Sequence, residues 1–249
     1  MDSLDTLTCV SLDLFDTLVR VRGFDPKYAF GRSYSVLREA GVVLPFEQLY
    51  RAYRAKTRHY LTNREKTGHD FTNDHLIQNL LSELGHEVEL GLAKKVIMAY
   101  FEALVPYTVP FQGMAAALRL LSDDYRLVLT SNHSWPPHGY EVLRRVGIAD
   151  FFDRVVFSGE VGVAKPHTGI YQKAFDGIDP DVVLHVGDNP IADVDGSQRF
   201  GVRALWLHSR EHFRDHQLVL PTLKDRLVGE IRDIVELPDF LGVTEIEDF

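Results

Sequence analysis

Four polar clusters carry residue types that can do chemistry. Asp13 closes the apolar run LTCVSLD and leads into Leu14-Phe15-Asp16-Thr17-Leu18. A carboxylate at the end of a buried run is costly unless it is paired or used, although a lone aspartate there more often caps a turn. Ser131 and Asn132 follow the run RLVLT and offer a hydroxyl and an amide. Lys165, in AKPH, supplies a cation. Asp188 and Asp193, five residues apart in HVGDNPIAD, form an acidic pair suited to a hard divalent cation. Each cluster alone is a weak signal. In this order they supply a nucleophile, polar donors, a cation and metal ligands.

The elements that must position them are legible as short apolar bursts. Leu7–Asp13, Arg126–Thr130, Arg154–Phe157, Val182–Val186 and Val202–Leu207 lack clean alternation, as strands buried on both faces do. Helical patterns at Gly113–Leu121 and Ile170–Phe175 lie between the later bursts. Strand, helix, strand at this spacing predicts a parallel sheet with right-handed crossovers. Ligands of such sheets bind beyond the carboxyl ends of the strands, where the polar clusters fall. The stretch from Arg20 to Pro106 differs. Tyr28–Ala40, Phe46–Tyr60, Asn73–Leu84 and Glu87–Leu104 repeat apolar residues at three-to-four spacing. Asn73 or Asp74 suits a helix N-cap, and Gly41 and Gly85 suit helix stops. This predicts a helical insert between the first and second core strands. A final helix carrying Leu223, Leu227, Ile231 and Ile234 is expected, followed by an acidic tail.

The net charge of −9 over 249 residues argues against general nucleic-acid binding, which needs a basic face. The insert departs from this balance. Residues 20–106 hold 13 basic and 10 acidic side chains, with Arg51, Arg54, Lys56, Arg58, Arg64 and Lys66 close together. Most such charges are solvated helix face; a few are expected to meet an anionic substrate. The single cysteine, Cys9, excludes an internal disulfide and a multi-cysteine zinc site. No apolar run approaches the roughly 18 residues a membrane span needs, and the N-terminus lacks a secretory pattern. The expected setting is cytoplasmic. The expected partner is a small anionic substrate, with no nucleic-acid polymer and no membrane; a homodimer is left open.

Four motifs in order, above all HVGDNPIADVDGSQRFGVRALWL and VGVAKPHTGIYQKAF, resemble the haloacid dehalogenase superfamily over nearly the whole chain. That group is dominated by Mg²⁺-dependent phosphatases. The resemblance implies an α/β fold: a Rossmann-like parallel-sheet core from residues 1–19 and 107–249, with residues 20–106 as an α-helical cap. It implies that Asp13 is the nucleophile and forms an aspartyl-phosphate. Thr17 and Ser131 would bind the phosphoryl oxygens with Asn132 beside them, and Lys165 would offset the repulsion between nucleophile and phosphoryl group. Mg²⁺ would be held by Asp13, the backbone carbonyl of Phe15 and Asp188. Asp193 would support the metal or orient Lys165.

One position departs from the pattern. Phosphatases of this group carry a second aspartate two residues after the nucleophile, which protonates the leaving group; here that position is Phe15. Asp16 stands where the family usually has glycine, and in an extended segment it would point away from the site. His133 is a candidate substrate contact or substitute acid, although a loop histidine is more often solvated. His185 reads as a satisfied core residue. Three alternatives to a phosphatase stay open. The 2-haloacid dehalogenases of the group also carry an aromatic residue here and use a cap arginine, for which Arg51 is the counterpart. The phosphonate hydrolases use a cap lysine, in the region of Lys56. A protein that binds but does not turn over phospho-ligands is the third.

Overall fold

The apolar bursts fold as strands in the computed structural model, which describes residues 4–208 and 226–243. The core strands are β1 (Cys9–Leu12), β4 (Arg126–Ser131), β5 (Arg154–Phe157), β6 (Val183–Gly187), β7 (Arg203–Leu207) and β8 (Leu227–Ile231). They form one sheet in the order β5-β4-β1-β6-β7-β8, parallel throughout. The chain runs outward from β1 to β4 and β5, then returns to β6 on the other side. That reversal opens a crevice at the carboxyl ends of β1, β4 and β6. Every residue of β1 and β6 is buried, consistent with strands covered on both faces. Helices α5 (Met114–Asp124), α6 (Pro136–Arg145), α7 (Ser158–Val161), α8 (Thr168–Ala174) and α9 (Gly196–Phe200) connect the strands.

Residues between β1 and β4 leave the core through β2 (Val19–Val21) and return through β3 (Thr108–Pro110). These two short strands pair antiparallel, Val19 opposite Pro110 and Val21 opposite Thr108. Between them lie α1 (Pro26–Glu39), α2 (Phe46–Thr67), α3 (Asn73–Glu83) and α4 (Leu90–Leu104). Asp25 caps α1 through Lys27 N at 2.8 Å, with Pro26 at the first helical position. Gly41 and Gly85 follow their helices at positive φ, as stops should. Thr72, rather than Asn73 or Asp74, precedes α3 as its cap residue; Asp74 instead accepts from the His75 N–H. The four helices bury their own apolar cluster, including Phe30, Leu37, Tyr53, Tyr60, Leu76 and Ile97, and Trp135 from the far side joins it. The tyrosines at helical spacing are packing residues: Tyr50 and Tyr53 lie 5.3 and 4.7 Å from the Phe30 ring.

The expected C-terminal helix is corrected. Leu227 and Ile231 belong to strand β8, Ile234 opens a single 3₁₀ turn, and the only α-helix beyond it among the described residues is α10 (Leu237–Phe240). Leu223 and the acidic tail lie outside the described residues. Residues four apart share a face in a strand as well as in a helix, and pairing with β7 decides for the strand. The Trp135-Pro136-Pro137 segment begins α6, with Pro136 in its first turn, where a missing N–H costs nothing.

Candidate active site

Asp13 follows β1, Ser131 ends β4 and Asp188 follows β6, so three adjacent strands deliver them to one crevice. Lys165 arrives from the segment between α7 and α8. Its ammonium lies 2.6 Å from Asp13 Oδ1, 2.6 Å from Asp193 Oδ1 and 2.7 Å from the Thr130 carbonyl. All three N–H donors are thus committed, and the side chain is 2% exposed. Asn132 holds this lysine in place through the backbone. Its Oδ1 accepts from Lys165 N at 2.7 Å and its Nδ2 donates to Lys165 O at 2.9 Å. Asn132 therefore lines the cavity with both ends of its amide already engaged.

Asp193 sits in a π-helical turn, Pro190–Asp195, a backbone irregularity frequent at functional sites. Its second oxygen accepts from the Asn189 N–H at 2.9 Å. His185 Nε2 lies 3.1 Å from Asp193 Oδ1, and His185 Nδ1 lies 2.9 Å from Ser11 Oγ, which in turn meets Thr130 Oγ1 at 3.1 Å. Burial keeps His185 below its usual pKa, so the neutral ring donates from Nε2 to Asp193 and accepts from Ser11. His185 is a satisfied core residue, and the partner it satisfies belongs to the site.

The electrostatics follow from burial. Desolvation raises Asp13 to about 6 against the opposing pull of Lys165. Asp188 is raised to about 8 by burial, with Asp193, Asp13 and Asp16 adding repulsion. Burial also works against ionised Asp193, but Lys165 and His185 outweigh it and hold the carboxyl well below its usual range. Burial alone would lower Lys165; Asp13 and Asp193 reverse this and raise it. The crevice therefore packs more carboxylate than its one ammonium balances. Asp13, Asp188 and Asp193 can each place an oxygen within 4.8 Å of the others'. Hard oxygen donors in excess of local positive charge are what Mg²⁺ takes up, and this donor set fits that ion. Thr17 Oγ1 stands 3.5 Å from Asp188 Oδ1.

Three sequence expectations are corrected here. Asp16 does not point away from the site. Its φ of 64° breaks the alternation of an extended chain, and both Phe15 and Asp16 line the cavity. This left-handed conformation is the reason a glycine suits the position, and aspartate is among the few other residues that adopt it readily. His133 does not stand free and solvated in a loop. Its Nε2 lies 3.0 Å from His138 Nδ1, and its ring packs 5.1 Å from Phe15 and 5.6 Å from Phe101. Burial, the neighbouring His138 and Arg64 hold it well below its usual pKa, hence neutral. Arg51 does not reach the cavity. It lines a separate recess of about 510 Å³ with Lys27, Glu47, Tyr50, Arg54 and Arg58, roughly 20 Å along α2 from the cap residues that do face the site.

Those residues are Arg64, Glu65 and Lys66, which wall a cavity of about 590 Å³ together with Asp13, Phe15, Ser131, Lys165, Asp188 and Asp193. The basic run pointed to this helix, but α2 extends to Thr67, past the Tyr60 end expected from the periodicity. Lys56 is held on the cap by Glu83 and does not line the cavity.

A family profile described as haloacid dehalogenase-like hydrolase matches residues 7–201. The glyceraldehyde 3-phosphate phosphatase of Methanothermobacter thermautotrophicus is 31% identical, over 92% of this chain and 100% of that protein. The phosphoserine phosphatase of Thermus thermophilus is 29% identical, over 65% of this chain and 63% of that protein. Among solved structures, a 2-haloacid dehalogenase from Pseudomonas syringae superposes with a TM-score of 0.68 at 22% identity, covering 95% of this chain and 98% of that one. A phosphatase of the same superfamily from Thermococcus onnurineus gives 0.63 at 19%, covering 96% and 100%. At those identities the two structures speak for the fold alone. With Asp13, Lys165 and the acidic pair Asp188 and Asp193 gathered at the switch point of a parallel sheet, and with this profile matched along most of its length, the chain belongs to the haloacid dehalogenase-like hydrolase family.

Proposed function

We propose that the protein is a Mg²⁺-dependent phosphatase of small phosphomonoesters that works through an aspartyl-phosphate on Asp13. The observation that carries this reading is the convergence of Asp13, Asp188 and Asp193 on one cation-deficient crevice around Lys165. The phosphatase names of the relatives support it.

An ion held by Asp13, Asp188 and the backbone carbonyl of Phe15, with Asp193 behind, would supply the positive charge that lets an anionic nucleophile approach an anionic ester. Asp13 uses one oxygen to accept from Lys165 and keeps the other for phosphorus. Attack forms the Asp13–phosphorus bond and breaks the phosphorus–oxygen bond to the leaving group, which departs as an alkoxide and takes its proton from solvent water. Water then cleaves the acyl phosphate, returning Asp13 as a carboxylate and releasing inorganic phosphate. Lys165 offsets charge on Asp13 in both steps, held still by Asp193, Asn132 and Thr130. Ser131, at the end of β4 and lining the same cavity, would donate to a phosphoryl oxygen.

The second reading, a 2-haloacid dehalogenase, is favoured by Phe15, since a halide leaves without a proton. Asp188 weighs against it: a metal-free reaction has no use for a third carboxylate, half-buried beside Asp13 and Asp193. One pair of assays separates the two. Phosphate release that requires Mg²⁺ and is abolished by Asp13→Asn is the expected result. Chloride release from a 2-haloacid without added metal, with no phosphate release from esters, would overturn it.

A further inference from the structure

Arg64 sits in the last turn of α2, where a cation also complements the carbonyl end of the helix. That accounts for the exposed Lys66 two residues on. It does not account for a guanidinium whose side chain is 16% exposed and which forms part of the catalytic cavity wall. Burying that charge costs free energy, and burial lowers its pKa accordingly. Its position is fixed on one side only. Nη1 donates to Ser134 Oγ at 3.2 Å and stands 3.6 Å from Asp70 Oδ2. The guanidinium carbon lies 5.9 Å from the Tyr60 ring centroid. Asp70 is itself anchored by Ser134 Oγ at 3.0 Å and by Phe71 N at 2.8 Å. Nε and Nη2 of Arg64 make no hydrogen bond among the described residues, and neither is a sealed, orphaned donor. A planar fork that is oriented in advance and keeps unspent donors is how arginine grips an oxyanion with two parallel bonds.

We propose that Arg64, with Lys66 beside it, anchors a second anionic group of the substrate, so that the ester hydrolysed carries a carboxylate or another phosphate on its leaving-group side. The inference rests on the phosphatase reading and narrows it. The sheet ends hold the phosphoryl group at Asp13 and Lys165, while the cap helix supplies the other wall of the same cavity. With Mg²⁺ bound at the sheet ends, a substrate spanning both walls would meet positive charge at each end. Glu65, between the two cations and also on this wall, leaves the segment 64–66 with a net positive charge. Phe15 and Ile191 supply apolar surface in the same cavity, which suits a short carbon chain joining the two anions.

The test compares matched esters with the full-length, Mg²⁺-supplied enzyme. The pairs are 3-phosphoglycerate against glycerol 3-phosphate, and fructose 1,6-bisphosphate against fructose 6-phosphate; the first reads a carboxylate and the second a phosphate. The wild type is expected to favour the member that carries the second anionic group, in at least one pair, by tenfold or more in kcat/KM, chiefly through KM. Arg64→Ala should shrink that ratio by roughly 10- to 100-fold, the worth of hydrogen bonds to a charged group. Arg64→Lys, which keeps the charge and loses the fork, should fall between. No preference in either pair, or an Arg64→Ala variant that slows both members equally, would overturn the proposal; the latter is what a purely structural arginine would give. If no ester turns over, the phosphatase reading fails on its own, and binding still decides this one. On the Asp13→Asn protein, 2-phosphoglycolate should bind at least tenfold tighter than ethyl phosphate, with the difference lost in the Arg64→Ala double variant. Equal binding would contradict it.

Discussion

Phe15 occupies the position from which a second carboxylate would reach the leaving oxygen, and its ring is committed to packing against His133 and His138. Both histidines are kept neutral by burial, His138 down at about 4, so the aromatic cluster behind Phe15 offers no cationic acid. The rate should therefore depend on how well the leaving group departs unaided. Across a series of aryl and alkyl phosphates, kcat of the wild type should fall steeply as the leaving-group pKa rises. Phe15→Asp should flatten that slope and raise the rate on alkyl esters, by up to the roughly 10²–10⁴-fold that a positioned general acid contributes. A flat wild-type profile would mean that another cavity residue, Asp16 or Glu65, already protonates the leaving oxygen. Asp13 and Asp188 could be named from sequence because each stands beside a strand end that the apolar bursts mark, whereas Lys165, between α7 and α8, could be named only through the motif around it. Arg64 could be located only to a basic run. Which member of a run faces a cavity depends on helix length and on docking, and the helix continues past Tyr60 to end at Gly68.

At the level of elements, the turn after β6 governs how closely Asp193 approaches Lys165. Gly187 ends that strand, and a Cβ there would fall 2.3 Å from Asp193 Cγ. Asp193 cannot give way, because Lys165, His185 and Asn189 N hold it from three sides. Gly187→Ala should lower thermal stability, by about 1–3 kcal/mol as overpacking does, and cut kcat more than tenfold while the sheet stays intact by circular dichroism. Unchanged kcat would show that the Asp193–Lys165 geometry is dispensable. Helix and strand types in the core and insert were legible because buried bursts and three-to-four repeats leave few other structures open. The C-terminal segment was not, since Leu227 and Ile231 satisfy both a helical and a strand period. Only the unpaired edge of β7, a fact of the assembled sheet, selects the strand.

At the scale of the whole molecule, the insert docks on the core through the loop after α2. Asp70 N donates to Gly162 O at 3.0 Å, Ala164 N to Gly68 O at 2.8 Å, and Asn73 N to Ser134 O at 3.0 Å. These bonds set the Arg64 wall against Lys165, which neighbours Ala164. The charge that the cavity gathers should appear in global stability. Asp13 and Asp188 titrate at about 6 and about 8 when folded, above the roughly 3.9 of an unfolded aspartate. The folded state thus binds more protons, and metal-free stability is lost as pH rises through those values. Buried His133, His138 and His185 act oppositely, since their folded pKa values are depressed. Their contribution grows as pH rises through about 6.5 and is nearly complete about a unit higher. Between about pH 7.5 and 8.5 the Asp188 effect is therefore isolated. The metal-free Tm should fall across that window, the Tm gain from Mg²⁺ should grow, and Asp188→Asn should flatten both trends. A Mg²⁺ gain independent of pH would contradict the cation-deficient crevice.

The central claim is that Asp13 carries the phosphoryl group. The most direct measurement is to quench the Mg²⁺-supplied enzyme with acid during turnover of a phosphomonoester, then map the modified peptide by mass spectrometry. The account predicts a phosphoryl increment on Asp13, lost when metal is chelated and absent from Asp13→Asn. Turnover with no acyl phosphate on Asp13, or with the increment on another residue, would contradict it.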